Sequence, residues 1–147
     1  MSLKNIKWQS FESQASLDRA AMARVESLPE SSIEARGQFH LVLAGGSTPK
    51  NVYTLLKNIS TDWQKWQIYF GDERCLELGH QERNSTMAFE AWLNHIDIPV
   101  QNIHAIPAEL GPLEGAHLYN QTLSQVGDFD LVLLGLGEDA HTASLFP

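Results

Sequence analysis

Residues 39–49 read Phe-His-Leu-Val-Leu-Ala-Gly-Gly-Ser-Thr-Pro, and this stretch decides the fold. The nearly unbroken apolar run over residues 39–44 is typical of a β-strand that is covered on both faces. Two glycines then interrupt the strand, and residues 50–59 carry apolar side chains at helical spacing. Thr48 fits the N-cap of that helix, and Pro49 fits its first position. The stretch therefore predicts a strand, a glycine-rich turn and a helix in direct succession.

The same alternation of helix and strand continues on both sides of this stretch. Apolar spacing predicts a helix over residues 10–28, which Pro29 ends, and then a polar loop that reaches Gly37. Further elements are predicted by the same criteria, namely strands at 66–70, 103–106 and 129–134, a helix at 84–94 capped by residues 84–86, and a helix at 112–126. The strand at 129–134 has the most convincing pattern of the four. We therefore predict a doubly wound α/β fold with a mainly parallel sheet and helices on both faces.

The composition limits the classes of protein to which the chain can belong. Its 147 residues suit one domain, and 43% hydrophobic with 19% charged residues is ordinary for a globular chain. The 10 Lys and Arg residues against 18 Asp and Glu residues give a net charge of −8, which disfavours nucleic acid and anionic membranes as partners. A single cysteine, Cys75, excludes an internal disulfide and favours a reducing compartment. No apolar run approaches the ~20 residues of a membrane span and no secretory signal is visible, so we expect a cytoplasmic protein.

The chain ends soon after the fourth predicted strand. No helix is predicted there to cover that strand, although a doubly wound domain usually continues with one. We therefore expect residues 1–147 to form a single but incomplete domain whose C-terminal part is missing. The uncovered edge of the sheet would also offer a surface for self-association.

Three of the predicted strands end in loops of glycine and polar residues. Ligands of open parallel sheets bind beyond the carboxyl ends of the strands, so these loops form the candidate site. The first loop contains Gly45, Gly46, Ser47 and Thr48. Its glycines permit close backbone approach, and the N–H groups at a helix start favour an anion, most simply a phosphate. A tight turn closed by a capping threonine is the alternative interpretation.

The loop after the second strand places two carboxylates beside a guanidinium. Arg74 can hold a phosphate with its planar fork, and Asp72 can orient a base or a sugar hydroxyl. Glu73 is expected to pair only with Arg74, and a surface ion-pair cluster is the alternative interpretation. The adjoining Cys75 is interpreted as a semi-buried bystander and not as a nucleophile.

The loop after the fourth strand contains His141 among glycines. Histidine titrates nearest to neutral pH, so His141 is the candidate that takes and returns a proton, and Asp139 is placed to orient it. A purely structural histidine is the alternative, and Ser144 is expected to cap a following helix. The other histidines show no metal-ligand spacing and one cysteine cannot build a thiolate zinc site, so no metal or cofactor is expected.

Four stretches carry motifs that belong together, at residues 44–49, 71–75, 83–85 and 133–147. Together they resemble the 6-phosphogluconolactonase family, within the glucosamine-6-phosphate isomerase/6-phosphogluconolactonase superfamily. The resemblance implies a NagB-like α/β fold. It also implies hydrolysis of 6-phospho-D-glucono-1,5-lactone to 6-phosphogluconate, in the oxidative pentose phosphate pathway, without a cofactor or a catalytic metal.

The resemblance also assigns roles to individual residues. The family histidine falls on His141 as the acid/base, and the arginine of the second motif falls on Arg74 as a phosphate or substrate contact. The aspartate of that motif falls on Asp72, and the phosphate-binding turn falls on residues 45–48. The chain is shorter than family members, and Ala140 stands where they usually have glycine. If the backbone at Ala140 needs a positive φ, alanine strains it by about 1 kcal/mol or more.

The sequence leaves three alternative functions open. Glucosamine-6-phosphate deaminases or isomerases share the glycine-rich turn, but they typically have tyrosine in place of Arg74, and residues 142–146 also favour the lactonase. A sugar-phosphate sensor of a bacterial regulator normally carries a DNA-binding helix-turn-helix ahead of this fold, whereas a single helix is predicted before the first strand here. A truncated sugar-phosphate-binding domain without catalysis is the third alternative.

Overall fold

The computed structural model describes residues 6–147, arranged as helices around one parallel sheet. The α-helices of this part of the chain are α1 (Gln14–Glu26), α2 (Pro29–Arg36), α3 (Ser47–Leu56), α4 (Asn84–Ala91) and α5 (Pro112–Leu123). Its strands are β1 (Phe39–Leu43), β2 (Trp66–Phe70), β3 (Ile103–His104) and β4 (Leu131–Val132). Short 3-10 turns lie at Trp63–Lys65, Leu93–His95, Val100–Asn102 and Ala108–Leu110. None of these helices combines the length and the apolar character that crossing a bilayer requires.

The strands lie in the order β3-β2-β1-β4, and every neighbouring pair is parallel. The chain moves across the sheet in one direction from β1 through β2 to β3, and it then returns to the opposite edge to form β4. Right-handed crossovers therefore place α3 and α4 on one face of the sheet and α5 on the other. The predicted doubly wound α/β fold is confirmed.

The main core lies between one face of the sheet and the helices α1, α3 and α4. Leu41 of β1 pairs with Ile68 of β2, and the alternation of strand side chains sends both into this core. The indole rings of Trp66 and Trp92 are fully buried beside them and meet edge to face, with centroids 5.9 Å apart. Burial of a side chain such as Leu41 contributes roughly 1.5–3 kcal/mol, so the core firmly holds the strands that end at the candidate site.

The opposite face of the sheet carries a stacked row of three rings, His40, Tyr69 and His104. The centroids of Tyr69 and His104 are 4.6 Å apart, and those of His40 and Tyr69 are 5.7 Å apart. Partial burial is the main reason that the pKa values of both histidines lie below the ordinary value. Helix α5 is attached here through Tyr119, whose hydroxyl accepts from the Phe70 N–H at 2.9 Å and donates to the His104 carbonyl at 3.1 Å.

Several helix boundaries differ from the sequence prediction. Pro29 begins α2 and does not introduce a polar loop, because proline is tolerated in the first turn of a helix. Helix α3 begins at Ser47, since the φ of 105° at Gly46 lets the chain turn into the helix before Thr48. Thr48 is therefore not the N-cap, and Pro49 is the third helical residue. Helices α3, α4 and α5 each end a few residues earlier than predicted.

The largest correction concerns the strand predicted at residues 129–134. Only Leu131–Val132 forms a strand there, and Val132 is 45% exposed. The reason is its position, because β4 lies at the edge of the sheet formed by residues 6–147 and pairs with β1 alone. A continuous apolar run indicates burial on both faces only when the strand is an inner one. The strand predicted at 103–106 lies at the other edge and is likewise reduced to Ile103–His104.

Candidate active site

The turns that follow β1, β2 and β4 line one cavity at the carboxyl edge of the sheet. The volume of this cavity is about 470 Å³. Its lining includes Gly45, Gly46, Ser47 and Thr48 from the first turn, Asp72 and Arg74 from the second, and His141 from the last. The predicted convergence of the three turns is therefore confirmed, and the chemical role of each side chain stays a prediction.

The glycine-rich turn leaves the start of α3 open to a ligand. No side chain of the described residues caps this helix, so the N–H groups of Ser47 and Thr48 have no capping acceptor. Free N–H groups and the positive end of the helix dipole stabilise an anion at the start of α3. The Thr48 hydroxyl accepts a hydrogen bond from Nε2 of Gln14 at 3.3 Å, which ties the turn to α1. The arrangement suits a phosphate group.

Gly45 is required by a close approach of Asn84. A Cβ atom at position 45 would overlap the side-chain amide of Asn84. Through Nδ2 the same amide donates to the carbonyl oxygen and to Oδ1 of Asp72, each at 3.1 Å. Asn84 therefore lies between the first and the second turn, a position that the sequence indicated only as part of a motif.

The carboxylate of Asp72 is also held from its other side. Its Oδ2 accepts a hydrogen bond from the Ser144 hydroxyl at 2.7 Å. This hydroxyl ties the last turn to the second, and the capping of a following helix by Ser144 stays a prediction. The carboxylate that contacts His141 belongs to Asp139 instead. Which of the two roles predicted for Asp72 applies stays a prediction.

The prediction that Glu73 pairs only with Arg74 is wrong. The Glu73 carboxylate accepts hydrogen bonds from the backbone N–H groups of Asn84 and Ser85, at 2.6 and 2.9 Å, where α4 begins. It also lies 3.5 Å from Nε of Arg83, and both side chains are only 1% exposed. A carboxylate from another loop therefore caps α4, in place of the predicted capping by the first residues of the helix itself.

Arg83 is a structural residue that sequence reasoning missed. Its guanidinium donates to the carbonyl oxygens of Leu76 and Ile106 and to the Glu109 carboxylate, all at 3.0 Å. Burial alone would raise the pKa of Glu109, but hydrogen bonds from its own backbone and from Arg83 lower it below its usual value. The sequence marked Arg83 as part of the motif at residues 83–85 and as an arginine directly before a predicted helix, and neither signal distinguishes a buried arginine from an exposed one.

Arg74 is one of the residues that line the cavity. Within residues 6–147 no carboxylate lies within ion-pair distance of it, so its planar fork is open to a phosphate. The neighbouring Cys75 is exposed, and the prediction of a semi-buried thiol is therefore wrong. The same part of the chain holds no group of three His, Cys, Asp or Glu side chains arranged for a metal ion.

His141 lies at the edge of the cavity and is paired with Asp139. Its imidazole is 36% exposed and hydrogen-bonds through Nδ1 to the Asp139 carboxylate. This bond is the main reason that the pKa of Asp139 lies below its usual value. Because Asp139 occupies Nδ1, Nε2 is the ring nitrogen that remains for a ligand. The ring of Phe146 packs against the imidazole, with centroids 5.0 Å apart.

The backbone around His141 contains two alanines in the left-handed region. Ala140 has a φ of 68° and Ala143 a φ of 50°. This region favours glycine, so the predicted strain at Ala140 is confirmed. The turn is held by two backbone hydrogen bonds, from the Gly137 N–H to the His141 carbonyl at 2.8 Å and from the Ala140 N–H to the Gly137 carbonyl at 3.0 Å.

The sequences of known proteins match most of the length of this chain. A family model described as glucosamine-6-phosphate isomerases/6-phosphogluconolactonase matches residues 12–147. The chain is 43% identical over 127 residues to a 6-phosphogluconolactonase of Nostoc sp., which covers 80% of this chain and 53% of that protein. It is 44% identical over 124 residues to a 6-phosphogluconolactonase of Synechocystis sp., which covers 78% of this chain and 52% of that protein. The chain thus spans about half the length of the curated relatives it matches.

Solved structures share the fold. A 6-phosphogluconolactonase from Thermotoga maritima matches with a TM-score of 0.82 at 28% identity, over 88% of this chain and 60% of that chain. A 6-phosphogluconolactonase from Trypanosoma brucei matches with a TM-score of 0.84 at 26% identity, over 95% of this chain and 62% of that chain.

Proposed function

The chain belongs to the glucosamine-6-phosphate isomerase/6-phosphogluconolactonase family, and from this premise we propose that its cavity binds 6-phospho-D-glucono-1,5-lactone and hydrolyses it to 6-phosphogluconate. The observation that carries the proposal is a single cavity lined by the glycine-rich turn, Arg74 and His141. The first two suit an anion and the third suits proton transfer, which are the two requirements of a phosphorylated lactone. The names of the Nostoc and Synechocystis relatives support the same reaction.

The phosphate end of the substrate is assigned to the first two turns. The N–H groups of Ser47 and Thr48 and the guanidinium of Arg74 neutralise the phosphate, since all three are available at the cavity. Asp72 accepts a hydrogen bond from a hydroxyl of the sugar. Binding energy at the phosphate then holds the lactone carbonyl near His141, which orients it for reaction.

The chemical step is assigned to His141. Nε2 of the neutral imidazole removes a proton from a water molecule, while Nδ1 donates to Asp139. The water oxygen attacks the lactone carbonyl carbon, and backbone N–H groups at the cavity stabilise the oxyanion. His141 then gives the proton to the ring oxygen as the carbon–oxygen bond breaks, which leaves a carboxylic acid and a free hydroxyl. These reaction steps require no covalent intermediate and no cofactor.

Lactone hydrolysis by the His141→Asn variant tests this proposal. Disappearance of the lactone is followed with the whole chain and corrected for spontaneous opening in buffer. The substitution should lower kcat by about 10²–10⁴, because it removes the general base. His117→Asn, at an exposed position of α5, is the matched control and should leave kcat unchanged. Equal rates for the chain and His141→Asn would refute the role of His141, and a rate equal to that of buffer would refute lactone hydrolysis.

The same preparation separates the lactonase from the deaminase. The proposal predicts that the chain releases no ammonia from glucosamine 6-phosphate. Enzymatic detection of ammonia under the conditions of the lactone assay provides the measurement. Release of ammonia together with no acceleration of lactone opening would replace the proposed reaction by deamination.

We further propose that the β4 edge mediates self-association of the chain. Among the described residues only one side of β4 is paired. Val132 of β4 is 45% exposed, and Leu134 and Leu136 beyond it are 64% and 79% exposed. The net charge of −8 opposes association, so added salt should favour it. Light scattering should report a dimer that Val132→Lys converts to a monomer, and a chain that is monomeric at high salt would contradict the proposal.

A cytoplasmic location is also part of the proposed function. The exposed thiol of Cys75 supports it, because a lone exposed thiol is kept reduced in that compartment. Fractionation of the cells that produce the chain should find it with cytoplasmic marker enzymes, and recovery in a membrane or secreted fraction would contradict this location.

A further inference from the structure

We infer that Asn84 is a positioning residue that joins the phosphate end of the cavity to its hydroxyl-binding end. It does so by supporting the Gly45 turn and by orienting the Asp72 carboxylate. The inference rests on the proposed function, because it assigns Asp72 to a hydroxyl of the bound phosphosugar. It goes beyond that function by naming the side chain that sets the relative position of the two ends.

The backbone of Asn84 is fixed at the buried start of α4. It is 6% exposed and is the first residue of α4. Its backbone N–H donates to the Glu73 carboxylate at 2.6 Å, and that carboxylate faces the buried guanidinium of Arg83. A side chain that projects from this backbone can serve as a reference for the Gly45 turn and for the Asp72 carboxylate, because the buried Glu73–Arg83 pair anchors it.

The amide of Asn84 contacts both turns at the same time. It occupies the space that a Cβ at Gly45 would fill, so it packs directly against the first turn. Its Nδ2 donates to the carbonyl oxygen and to Oδ1 of Asp72, at 3.1 Å each, so both amide hydrogens are used on the second turn. One buried amide therefore determines how far the phosphate turn lies from the Asp72 carboxylate.

The remaining contact of Asp72 completes this arrangement. Its Oδ1 accepts from Asn84, and its Oδ2 accepts from the Ser144 hydroxyl at 2.7 Å. Each carboxylate oxygen has a further lone pair, so the group can still accept a hydrogen bond from a ligand hydroxyl. Because the carboxylate is held from both sides, it is already ordered before the ligand binds. Binding therefore loses less conformational entropy, and the ligand binds more tightly.

The substitution Asn84→Leu separates the two contacts. Leucine keeps a branched side chain of similar shape against Gly45, but it cannot donate to Asp72. We expect the dissociation constant of 6-phosphogluconate to rise about tenfold, since two hydrogen bonds that orient Asp72 are lost. We expect the dissociation constant of inorganic phosphate to change by less than about twofold, because phosphate contacts only the first turn and Arg74.

Calorimetric titration of the whole chain with both ligands provides the test. Asn102→Leu is the matched control, since the Nδ2 of Asn102 donates to the Gln64 carbonyl at 3.0 Å and neither residue lines the cavity. Ser144→Ala is the second variant and removes one hydrogen bond from the same carboxylate, so it should give a smaller loss of 6-phosphogluconate affinity with phosphate affinity retained. It keeps the inference testable if Asn84→Leu does not fold.

The outcomes separate the inference from the function on which it rests. A purely structural role would weaken both ligands by the same factor, and that result would overturn the inference. Unchanged affinity for 6-phosphogluconate in Asn84→Leu would overturn it as well, while leaving the proposed function intact. If the unsubstituted chain binds neither ligand, the proposed function is contradicted and the inference falls with it. Loss confined to 6-phosphogluconate in both cavity variants, with Asn102→Leu unchanged, would establish it.

Discussion

The glycine-rich turn and the segment that carries His141 line the same cavity, but they rest on different supports. The first lies between β1, whose core-facing side chains are at most 1% exposed, and α3, and it is backed by the buried amide of Asn84. The second follows a strand of two residues. Most of its large apolar side chains are exposed, namely Leu134, Leu136, Leu145 and Phe146. The comparison indicates that the glycine-rich turn is preorganised by the core, whereas the position of the imidazole depends on a few local hydrogen bonds.

Removing the buried guanidinium of Arg83 should produce the largest effect on stability. Arg83 and Glu73 hold the start of α4, from which Asn84 supports the glycine-rich turn. Arg83→Met leaves the Glu73 carboxylate buried without its cation and leaves two backbone carbonyl oxygens without their donor. We expect the free energy of unfolding to fall by about 3–5 kcal/mol. Urea unfolding measures this change. Arg24→Met, at an exposed position of α1, is the control and should stay within about 0.5 kcal/mol, and an equal effect of both variants would contradict a structural role for Arg83.

A methyl group at the first turn should produce the next largest effect. Gly45→Ala places a Cβ on the Asn84 amide, so either the turn or the amide must move. We expect a loss of about 1–3 kcal/mol in the free energy of unfolding, together with weaker binding of inorganic phosphate. Gly127→Ala is the control, since a Cβ there meets no atom within 4 Å and its change should stay within about 0.5 kcal/mol. Unaltered stability and phosphate affinity in Gly45→Ala would show that the turn is not rigidly backed.

A gain in stability, and not a loss, is expected from a substitution in the segment that carries His141. Ala140→Gly relieves the φ of 68° and should stabilise the turn around His141 by about 1 kcal/mol. Because this segment is attached by few contacts, the gain should appear as slower hydrogen exchange of the amides at positions 137 and 140, more than as a change in global unfolding. Ala23→Gly, at an exposed position inside α1, should instead destabilise by about 1 kcal/mol. Exchange at Gly137 that is faster in Ala140→Gly would contradict the assigned strain.

The smallest expected effect is on the pH dependence of stability, through the histidines on the α5 face of the sheet. Burial lowers the pKa values of His40 and His104 below the value of 6.5 that they have when unfolded. The unfolded chain therefore binds more protons below about pH 6.5, so this contribution is present above that pH and is lost as the pH falls through the lower folded values. His104→Phe should reduce the drop in Tm between about pH 7.5 and pH 5.5 by at most about 2 °C, because the imidazoles are still partly solvated. Exposed His117→Gln should leave the drop unchanged, and a steeper drop in His104→Phe would reverse the assigned sign.

The difference between the two regions also explains what the sequence could predict. The strand, turn and helix around Gly45 were predictable because local signals agree with the burial that the fold provides. The length of strand β4 was overestimated, since an apolar run does not show whether a strand lies inside the sheet or at its edge. The contacts of Glu73 and Asn84 could not be predicted, because they join loops that are distant in the chain, and only the folded sheet brings those loops together.

Titration of the isotope-labelled chain with 6-phosphogluconate tests most directly whether the two regions form one site. Backbone amide shifts of Gly45, Gly46, Arg74 and His141 are followed by nuclear magnetic resonance. If the three turns bind one phosphosugar, these amides should shift together along a single saturation curve with one dissociation constant. A His141 amide that does not move while the glycine-rich turn saturates would contradict the account, because the imidazole would then lie outside the bound ligand's reach.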